Sequence, residues 1–207
     1  MDDRPAYLQP EHFERLYQGD PDPWRFATSA YERDKYAATL AALPAARYAR
    51  AFEVGCSIGV LTRELAHRAD AVVAVDVAET ALVQARERCA GMPQVTIARM
   101  AVPDEWPDGR FDLILFSEVL YYLGLDGIDR SAERTLAALA PGGSALLVNW
   151  RGPTDGACSG EAAADRFIGA CTGLHHAVQR RAERYRLDRL DRPRPHEVEQ
   201  ARFSYRV

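Results

Sequence analysis

One short stretch of the sequence combines glycines with a carboxylate, residue types that could bind a ligand. Glu53 ends an apolar run, and Gly55, Ser57 and Gly59 follow it at alternate positions. Glycine is needed where the backbone turns sharply or lets a bulky ligand approach a peptide plane, because a Cβ atom would clash there. A helix that begins beyond such a loop points its free N–H groups at the ligand. The spacing predicts a strand, a tight ligand-binding loop and a helix.

Three kinds of ligand chemistry use a loop of this form. A nicotinamide dehydrogenase carries G-x-G-x-x-G, a pattern that Ser57 interrupts. The run Gly55-Cys56-Ser57-Ile58-Gly59 also matches the G-x-S-x-G nucleophile elbow, in which Ser57 would be the nucleophile of a serine esterase. That elbow normally follows several strands, whereas this loop follows the first. The third ligand is S-adenosylmethionine, whose ribose hydroxyls would bind a later acid, Asp76.

Strand and helix patterns alternate from residue 51 onward. The periodicity predicts strands at 51–54, 71–76, 95–99, 111–116, 144–148 and 185–190, and helices at 60–68, 79–89, 128–140 and 160–171. This alternation is typical of an α/β protein with a single-domain, Rossmann-like, mostly parallel sheet and helices on both faces. Ligands of such doubly wound sheets bind beyond the carboxyl ends of the strands. That edge would gather the Gly55 loop, Asp76, 100–103, Ser117-Glu118 and Asn149-Trp150.

Residues 1–50 form a helical extension ahead of the predicted domain at 51–191. Ser29 and Glu32 have the S-x-x-E spacing of a capping box, in which hydroxyl and carboxylate each bind a free backbone donor. A helix packed on the sheet edge is one interpretation. Three aromatic residues close together, Trp24, Phe26 and Tyr31, favour instead a lid over the ligand. Residues 192–207 are expected to form a loose tail.

The glycine loop resembles the fingerprint of class I methyltransferases. Glycines stand at the second and sixth positions after Glu53, and Asp76 ends the next strand 23 residues later. The segments Phe111-Asp112-Leu113-Ile114 and Leu139-Ala140-Pro141-Gly142-Gly143 are also similar to that superfamily. The resemblance implies a domain that binds S-adenosylmethionine and releases S-adenosylhomocysteine, with no metal. A domain that binds another nucleotide is an alternative, because fold alone does not fix function.

Further motifs narrow the resemblance to the nodulation-factor N-methyltransferase (NodS-like) family. They are Asp22-Pro23-Trp24, Ser29 with Tyr31-Glu32 and Lys35-Tyr36, the run from Phe52 to Thr62, and Ser117-Glu118-Val119-Leu120-Tyr121-Tyr122-Leu123. The likeness covers about residues 20–152. It implies methylation of a free amine on a small molecule. In the founding activity of the family, that amine belongs to an amino sugar of a chitin oligosaccharide. The alternatives are an O-methyltransferase of a small natural product and a non-catalytic protein that binds S-adenosylmethionine.

Glu118 follows the fourth predicted strand and is the first candidate for a catalytic base or an ammonium anchor. An alkyl amine is mostly protonated at neutral pH, so a base or a water molecule must free its lone pair. Tyr122 is the second catalytic candidate, and Tyr121, Trp150 and Arg151 are the candidates for binding the acceptor. Glu118 could instead bind the cofactor or a helix start.

The expected cofactor contacts come from the lid and from the strand ends. Tyr31 and Lys35 would meet the carboxylate of the cofactor, and Trp24 would cover its methionine side or line the acceptor pocket. Apolar residues after the third strand would contact adenine. The complete set is Trp24, Tyr31, Lys35, Glu53, Gly55, Ser57, Gly59, Asp76, Val77, Met100, Ala101, Val102 and Ser117.

The helix predicted at 160–171 departs from the family pattern. Relatives carry a histidine about one turn after the pair represented here by Gly160-Glu161, and Ala164 stands near that place. The resemblance therefore implies that this helix supplies no base and that the acceptor differs. His175 and His176 are possible substitutes, although histidines beside a charged hairpin are more often solvated.

Composition argues against several other classes of protein. A formal net charge of −4 and a pI near 5.8 argue against nucleic-acid binding, which needs a basic surface. No apolar run approaches the ~20 residues of a membrane span, and the N-terminus lacks a signal-peptide pattern, so we expect a cytoplasmic monomer or homodimer. The cysteines form no C-x-x-C pair, which indicates reduced thiols rather than a zinc site.

Overall fold

Seven strands form one sheet within residues 9–195, the part of the chain that this computed structural model describes. They are β1 Ala51–Val54, β2 Val72–Asp76, β3 Val95–Arg99, β4 Phe111–Ser117, β5 Leu139–Trp150, β6 His175–Arg181 and β7 Tyr185–Asp191. Their order across the sheet is β3-β2-β1-β4-β5-β7-β6. Strands β1 to β5 pair in parallel, whereas β7 pairs antiparallel with both β5 and β6. The predicted α/β class with a mostly parallel sheet is confirmed.

Two apolar cores form because successive residues of a strand point to opposite faces of the sheet. In β4, Ile114 belongs to one core and its neighbour Leu113 to the other. The helices within the described residues are α1 Pro10–Gly19, α2 Ala30–Ala41, α3 Val60–Ala66, α4 Glu79–Arg88, α5 Gly124–Ala138 and α6 Gly160–Ala170. Helices α5 and α6 supply residues to the first core, and α3 and α4 supply residues to the second.

The largest differences from the sequence-based prediction lie in the half of the sheet after β4. β5 begins at Leu139, which pairs with Phe111 through an irregular register, so the strand passes through the turn expected at 141–143. α5 begins at Gly124 rather than at 128. β6 was not predicted, because its residues are mostly polar and exposed and give no apolar alternation.

The start of α2 matches only one half of a capping box. The Ser29 hydroxyl accepts the Glu32 N–H at 3.4 Å, as predicted. The Ser29 N–H, however, donates to the Arg25 carbonyl oxygen at 2.9 Å, and the Glu32 carboxylate turns to Lys35. Glu32 is therefore free of the capping role that its spacing indicated.

Arg192 is anchored to the sheet, contrary to the expectation of a loose tail from that residue. Its N–H donates to the Gly143 carbonyl oxygen at 2.8 Å, and its guanidinium donates to the carbonyls of Leu136 and Leu139. The rest of the predicted tail from residue 196 lies outside the described residues.

Within residues 9–195 no helix has the length and apolar character needed to span a bilayer. The same part of the chain holds no group of three or more histidine, cysteine or carboxylate side chains arranged for a metal ion. All four cysteines are free thiols.

Candidate functional site

A cavity of about 1050 Å³ opens at the carboxyl ends of β1, β2, β4 and β5. Residues of α1, α2 and the loop between them line its outer wall. The volume reaches the upper end of the ~300–1,000 Å³ range of ligand pockets, which leaves room for more than one small ligand. The predicted site residues that line it are Trp24, Tyr31, Lys35, Gly55, Ser57, Asp76, Val77, Met100, Ala101, Val102, Ser117, Glu118, Tyr121, Tyr122 and Trp150.

Positive φ angles account for both glycines of the loop between β1 and α3. Gly55 has φ +79°, and a Cβ atom there would lie 3.2 Å from the Ser117 carbonyl oxygen. Gly59 has φ +76°, and a Cβ atom there would lie 2.9 Å from the Ala85 Cα atom in α4. Gly59 does not line the cavity, so the cofactor contact expected of it is replaced by close packing between the loop and α4.

Asp76 is held at the end of β2 by two backbone donors. Its carboxylate accepts the Ser57 N–H at 2.9 Å and the Ala78 N–H at 3.0 Å. Burial raises the pKa of Asp76, and these N–H groups oppose that effect. Each carboxylate oxygen retains a second lone pair, so the ionised group still accepts hydrogen bonds from hydroxyls in the cavity.

Glu53 lies beneath the glycine loop and does not line the main cavity. Its side chain is 1% exposed, and its Oε2 atom has no hydrogen-bond partner within residues 9–195. Burial raises the pKa of Glu53 to about 7. Glu53 is absent from the residues that line the main cavity, so the direct cofactor contact expected of it is not seen.

Ser57 does not have the surroundings of an esterase nucleophile. Its hydroxyl hydrogen-bonds the Tyr17 hydroxyl of α1 instead of a histidine. Burial is the main cause that raises the pKa of Tyr17 well above its usual value, so this phenol stays protonated and cannot accept a proton from Ser57. A serine nucleophile needs an adjacent general base to become reactive. The esterase interpretation is accordingly set aside, and Ser57 joins the loop to α1.

Glu118 lies where β4, β5 and α2 meet, in a left-handed backbone conformation with φ +57°. Its Oε1 atom accepts the Lys35 Nζ at 2.7 Å. Its Oε2 atom accepts the Tyr121 hydroxyl at 2.9 Å and the Trp150 N–H at 2.7 Å. Glu118 is therefore fixed in place by hydrogen bonds from three donors.

Lys35 is 2% exposed and is neutralised by two carboxylates of its own chain. Besides Glu118, its Nζ atom contacts Glu32 Oε2 at 2.8 Å. The expected partner was the carboxylate of a cofactor, and the ammonium is instead committed to these two side chains. Sequence reasoning missed Glu32, since its S-x-x-E position indicated a capping residue.

Tyr122 meets a second carboxylate at the mouth of the cavity. Its hydroxyl donates to Asp155 Oδ1 at 3.1 Å, and its ring packs edge-on against Phe13 of α1. His12 Nε2 lies 3.7 Å from the other oxygen of Asp155. Asp155 was not predicted as a site residue, because it stands in a loop after β5 with no pattern of its own.

Aromatic side chains from α2 and β5 form the wall beside Glu118. The rings of Tyr31 and Trp150 meet edge-to-face with centroids 6.2 Å apart. The Tyr31 hydroxyl is buried and has no hydrogen-bond partner among the residues that the structure describes, and the Arg184 guanidinium lies 5.4 Å from the centre of its ring. Arg151, predicted to bind the acceptor, does not line the cavity, since it pairs with Glu161 at 2.5 Å.

Trp24 is 38% exposed and lies at the outer rim of the cavity. It packs edge-on against Tyr17 and stacks on Phe26, with centroid distances of 5.6 and 5.7 Å. The other end of the cavity, beyond Asp76, is lined by Val77 and by Met100, Ala101 and Val102, the three residues expected to contact adenine. Residues of α5 also border that end.

The histidines after α6 do not line the cavity. His176 contacts Asp188 at 2.9 Å across the β6–β7 pair, on the far side of the sheet order from β1. Ala164 is fully buried in α6 and packs in the core. His175 and His176 are therefore wrongly placed to substitute for a base at the cavity.

Known proteins are similar to this chain in sequence and in fold. The family model described as Nodulation protein S (NodS) matches residues 13–158. Nodulation protein S of Rhizobium tropici is 34% identical over 124 residues, which cover 59% of this chain and 52% of that protein. Nodulation protein S of Bradyrhizobium diazoefficiens is 36% identical over 103 residues, which cover 49% of each chain. The chain thus spans about half the length of the curated relatives it matches.

Solved structures share the class I methyltransferase fold. The N-methyltransferase NodS from Bradyrhizobium japonicum WM9, in complex with S-adenosyl-L-homocysteine, superposes with a TM-score of 0.75 at 22% identity. The match covers 89% of this chain and 98% of that one. Since the NodS family model also matches more than half of the residues, this chain belongs to the Nodulation protein S (NodS) family.

Proposed function

We propose that the protein is an S-adenosylmethionine-dependent N-methyltransferase that methylates a free amine on a small polar acceptor. The observation that carries this proposal is the continuity of the cavity. Its one end has the glycine loop and Asp76, and its other end has Glu118 and Asp155 among aromatic rings. A methyl donor and an amine acceptor need such adjoining sites, because the reacting atoms must be held together.

Asp76 and the loop residues Gly55 and Ser57 are the proposed cofactor contacts. The Asp76 carboxylate is oriented by two N–H groups, and its remaining lone pairs suit the two ribose hydroxyls. Close approach at Gly55 suits the methionine end, since no Cβ atom covers the peptide there. Glu53 supports this loop from below and Gly59 lets α4 pack against it.

The chemical step is an in-line displacement at the methyl carbon. The lone pair of the acceptor nitrogen forms the new N–C bond while the C–S bond breaks and its electron pair returns to sulfur, which gives S-adenosylhomocysteine. The protein contributes mainly by alignment and by exclusion of water. An ammonium acceptor must first lose one proton, which the carboxylates around Lys35 can accept.

The acceptor end of the cavity suits an amino sugar. Carboxylates of Glu118 and Asp155 attract an ammonium group, while the faces of Tyr31 and Trp150 suit the apolar face of a sugar ring. The Tyr122 hydroxyl, held by Asp155, is a further polar contact for a sugar hydroxyl. The related NodS structure is that of an N-methyltransferase, which agrees with nitrogen as the acceptor atom.

The test compares glucosamine with N-acetylglucosamine, whose nitrogen is blocked, in the presence of S-adenosylmethionine. We expect S-adenosylhomocysteine and a methylated product, measured by mass spectrometry, with glucosamine or another primary amine. The blocked sugar should give neither. Equal turnover of the blocked sugar would indicate transfer to oxygen. Binding of S-adenosylmethionine by calorimetry without turnover of any amine in a broad panel would contradict the proposal and indicate a non-catalytic binding protein.

A further inference from the structure

Glu32, Lys35 and Glu118 form a buried cluster with unequal numbers of opposite charges. Two carboxylates share one ammonium, so the fully ionised cluster carries one net negative charge. The three side chains are 8%, 2% and 13% exposed, so water compensates little of that charge. A buried cluster with net charge is stabilised by uptake of one compensating proton or cation.

The two carboxylates of this cluster differ in their hydrogen bonds. Glu118 accepts three donors, from Lys35, Tyr121 and the Trp150 backbone. Among the described residues, Glu32 has only Lys35 as a partner: its Oε1 atom accepts the Lys35 Nζ at 3.1 Å, and its Oε2 atom lies 2.8 Å from the same nitrogen. A proton on Glu118 would disturb contacts with three different donors, whereas a proton on Glu32 would disturb contacts with Lys35 alone.

We propose that Glu32 is the residue on which the acceptor's proton comes to rest during methyl transfer. This inference depends on the proposed N-methyltransferase function. Glu118, the more exposed carboxylate, meets the acceptor ammonium, and one proton passes into the cluster through Lys35. The acceptor changes from R–NH₃⁺ to R–NH₂, and the cluster changes from one negative charge to none. The freed lone pair then attacks the methyl carbon, and the C–S electron pair returns to sulfur.

The charged and titratable groups around Glu32 agree with this role. Burial is the largest cause that raises the pKa of Glu32, and Lys35 opposes it. The carboxylates of Glu118 and Asp22 raise the pKa further. The phenols of Tyr31 and Tyr36 also lie near it, and both have raised pKa values, so they remain neutral. These surroundings therefore favour proton uptake at Glu32 compared with an exposed glutamate.

The decisive variant is Glu32→Gln, with Asp34→Asn as a control on the exposed face of the same helix. Glucosamine is the probe, and kcat/KM is measured against pH. We expect about a 10²–10³-fold loss at neutral pH, since positioned bases contribute about that factor. The loss should shrink as pH rises above the pKa of the acceptor amine, because the amine is then neutral without help. Asp34→Asn should retain the wild-type profile.

A purely structural role for Glu32 predicts a different pattern. Glu32→Gln would then lose activity by the same factor at every pH, and such a result would overturn the proposal, as would unchanged activity. Glu32→Asp keeps a carboxylate and should restore the wild-type pH dependence at reduced kcat, even if Glu32→Gln folds poorly. Absence of turnover in the wild-type protein, by contrast, would count against the N-methyltransferase function itself.

Discussion

The two ends of the cavity are built in different ways. The end at Asp76 is fixed by backbone N–H groups of Ser57 and Ala78, which are 19 and 2 residues away in sequence. The end at Glu118 is fixed by side chains, and its contact with Lys35 joins residues 83 positions apart. The backbone contacts lie within one consecutive strand–helix–strand segment and its following loop, whereas the side-chain contacts require distant segments to meet.

This difference predicts different sensitivities to substitution. A site built from backbone groups fails when the path of the chain is disturbed, as at Gly59. A site built from buried charges fails when one charge is removed, because the partner charges remain in a poorly solvated place. The variants below test this contrast, beginning with the largest expected effect.

Lys35→Met in α2 should cause the largest loss of stability. It leaves the carboxylates of Glu32 and Glu118 buried without their ammonium, which costs about 3–5 kcal/mol of the free energy of unfolding. The loss should be smaller at acidic pH, since the carboxyl groups then protonate and need no counter-charge. Urea denaturation at neutral and at acidic pH measures both effects.

Arg47→Met is the matched control, because the Arg47–Asp70 pair is more than half exposed at both residues. Its effect should stay below about 1 kcal/mol, as is usual for surface ion pairs. Equal losses of the free energy of unfolding in the two variants would show that burial does not strengthen the ion pairs of Lys35.

Gly59→Ala should destabilise the protein by roughly 2–4 kcal/mol, through left-handed strain and overpacking against Ala85. Cofactor binding should weaken as well, since the loop must shift. Thermal and chemical denaturation, with calorimetric titration of S-adenosylmethionine, measure the two effects. Gly91→Ala is the control, because Gly91 has φ +83° but no neighbouring atom within 4 Å of the place a Cβ would take, and it should lose only ~1 kcal/mol.

Glu53→Gln should change how stability depends on pH. The pKa of Glu53 is about 7 in the folded protein and ~4.3 in an unfolded chain, so the folded state binds more protons between these values. The free energy of unfolding of the wild type therefore falls as pH rises through this window, and the variant should lack about 1–3 kcal/mol of that fall. Denaturation curves from acidic to slightly basic pH test it. Glu64→Gln, at an exposed position, should retain the wild-type slope.

Asp76→Asn should weaken S-adenosylmethionine binding about 10- to 100-fold, which corresponds to ~1.4–2.7 kcal/mol. The amide cannot accept both the Ser57 and Ala78 N–H groups, so the side chain loses its orientation as well as its charge. Asp70→Asn, at a surface position, is the control. An unchanged dissociation constant for Asp76→Asn would place the ribose elsewhere.

The sequence predicted the Asp76 end of the cavity better than the lid. The spacing of Glu53, Gly55 and Asp76 follows from one local unit, and the structure has that unit at the expected strand ends. Even there, the burial of Glu53 and the packing of Gly59 depend on three-dimensional neighbours that spacing does not contain.

The partners of the lid residues could not be predicted for a physical reason. Lys35 contacts Glu32 and Glu118 because α2 docks beside the end of β4, and no periodic pattern records where two distant elements meet. Asp155 lies in a loop and lines the cavity, where it accepts a hydrogen bond from Tyr122. Arg151 was assigned to the acceptor because it follows Trp150, but the side chain turns to Glu161.

The polar strand β6 has a consequence for the behaviour of the protein in solution. β6 forms one edge of the sheet, where unpaired N–H and C=O groups can recruit a strand from another molecule. His175, His176, Arg180 and Arg181 are exposed along this edge. Charged side chains discourage such edge-to-edge pairing. The same polar composition that prevented the prediction of β6 therefore also protects the folded protein against aggregation.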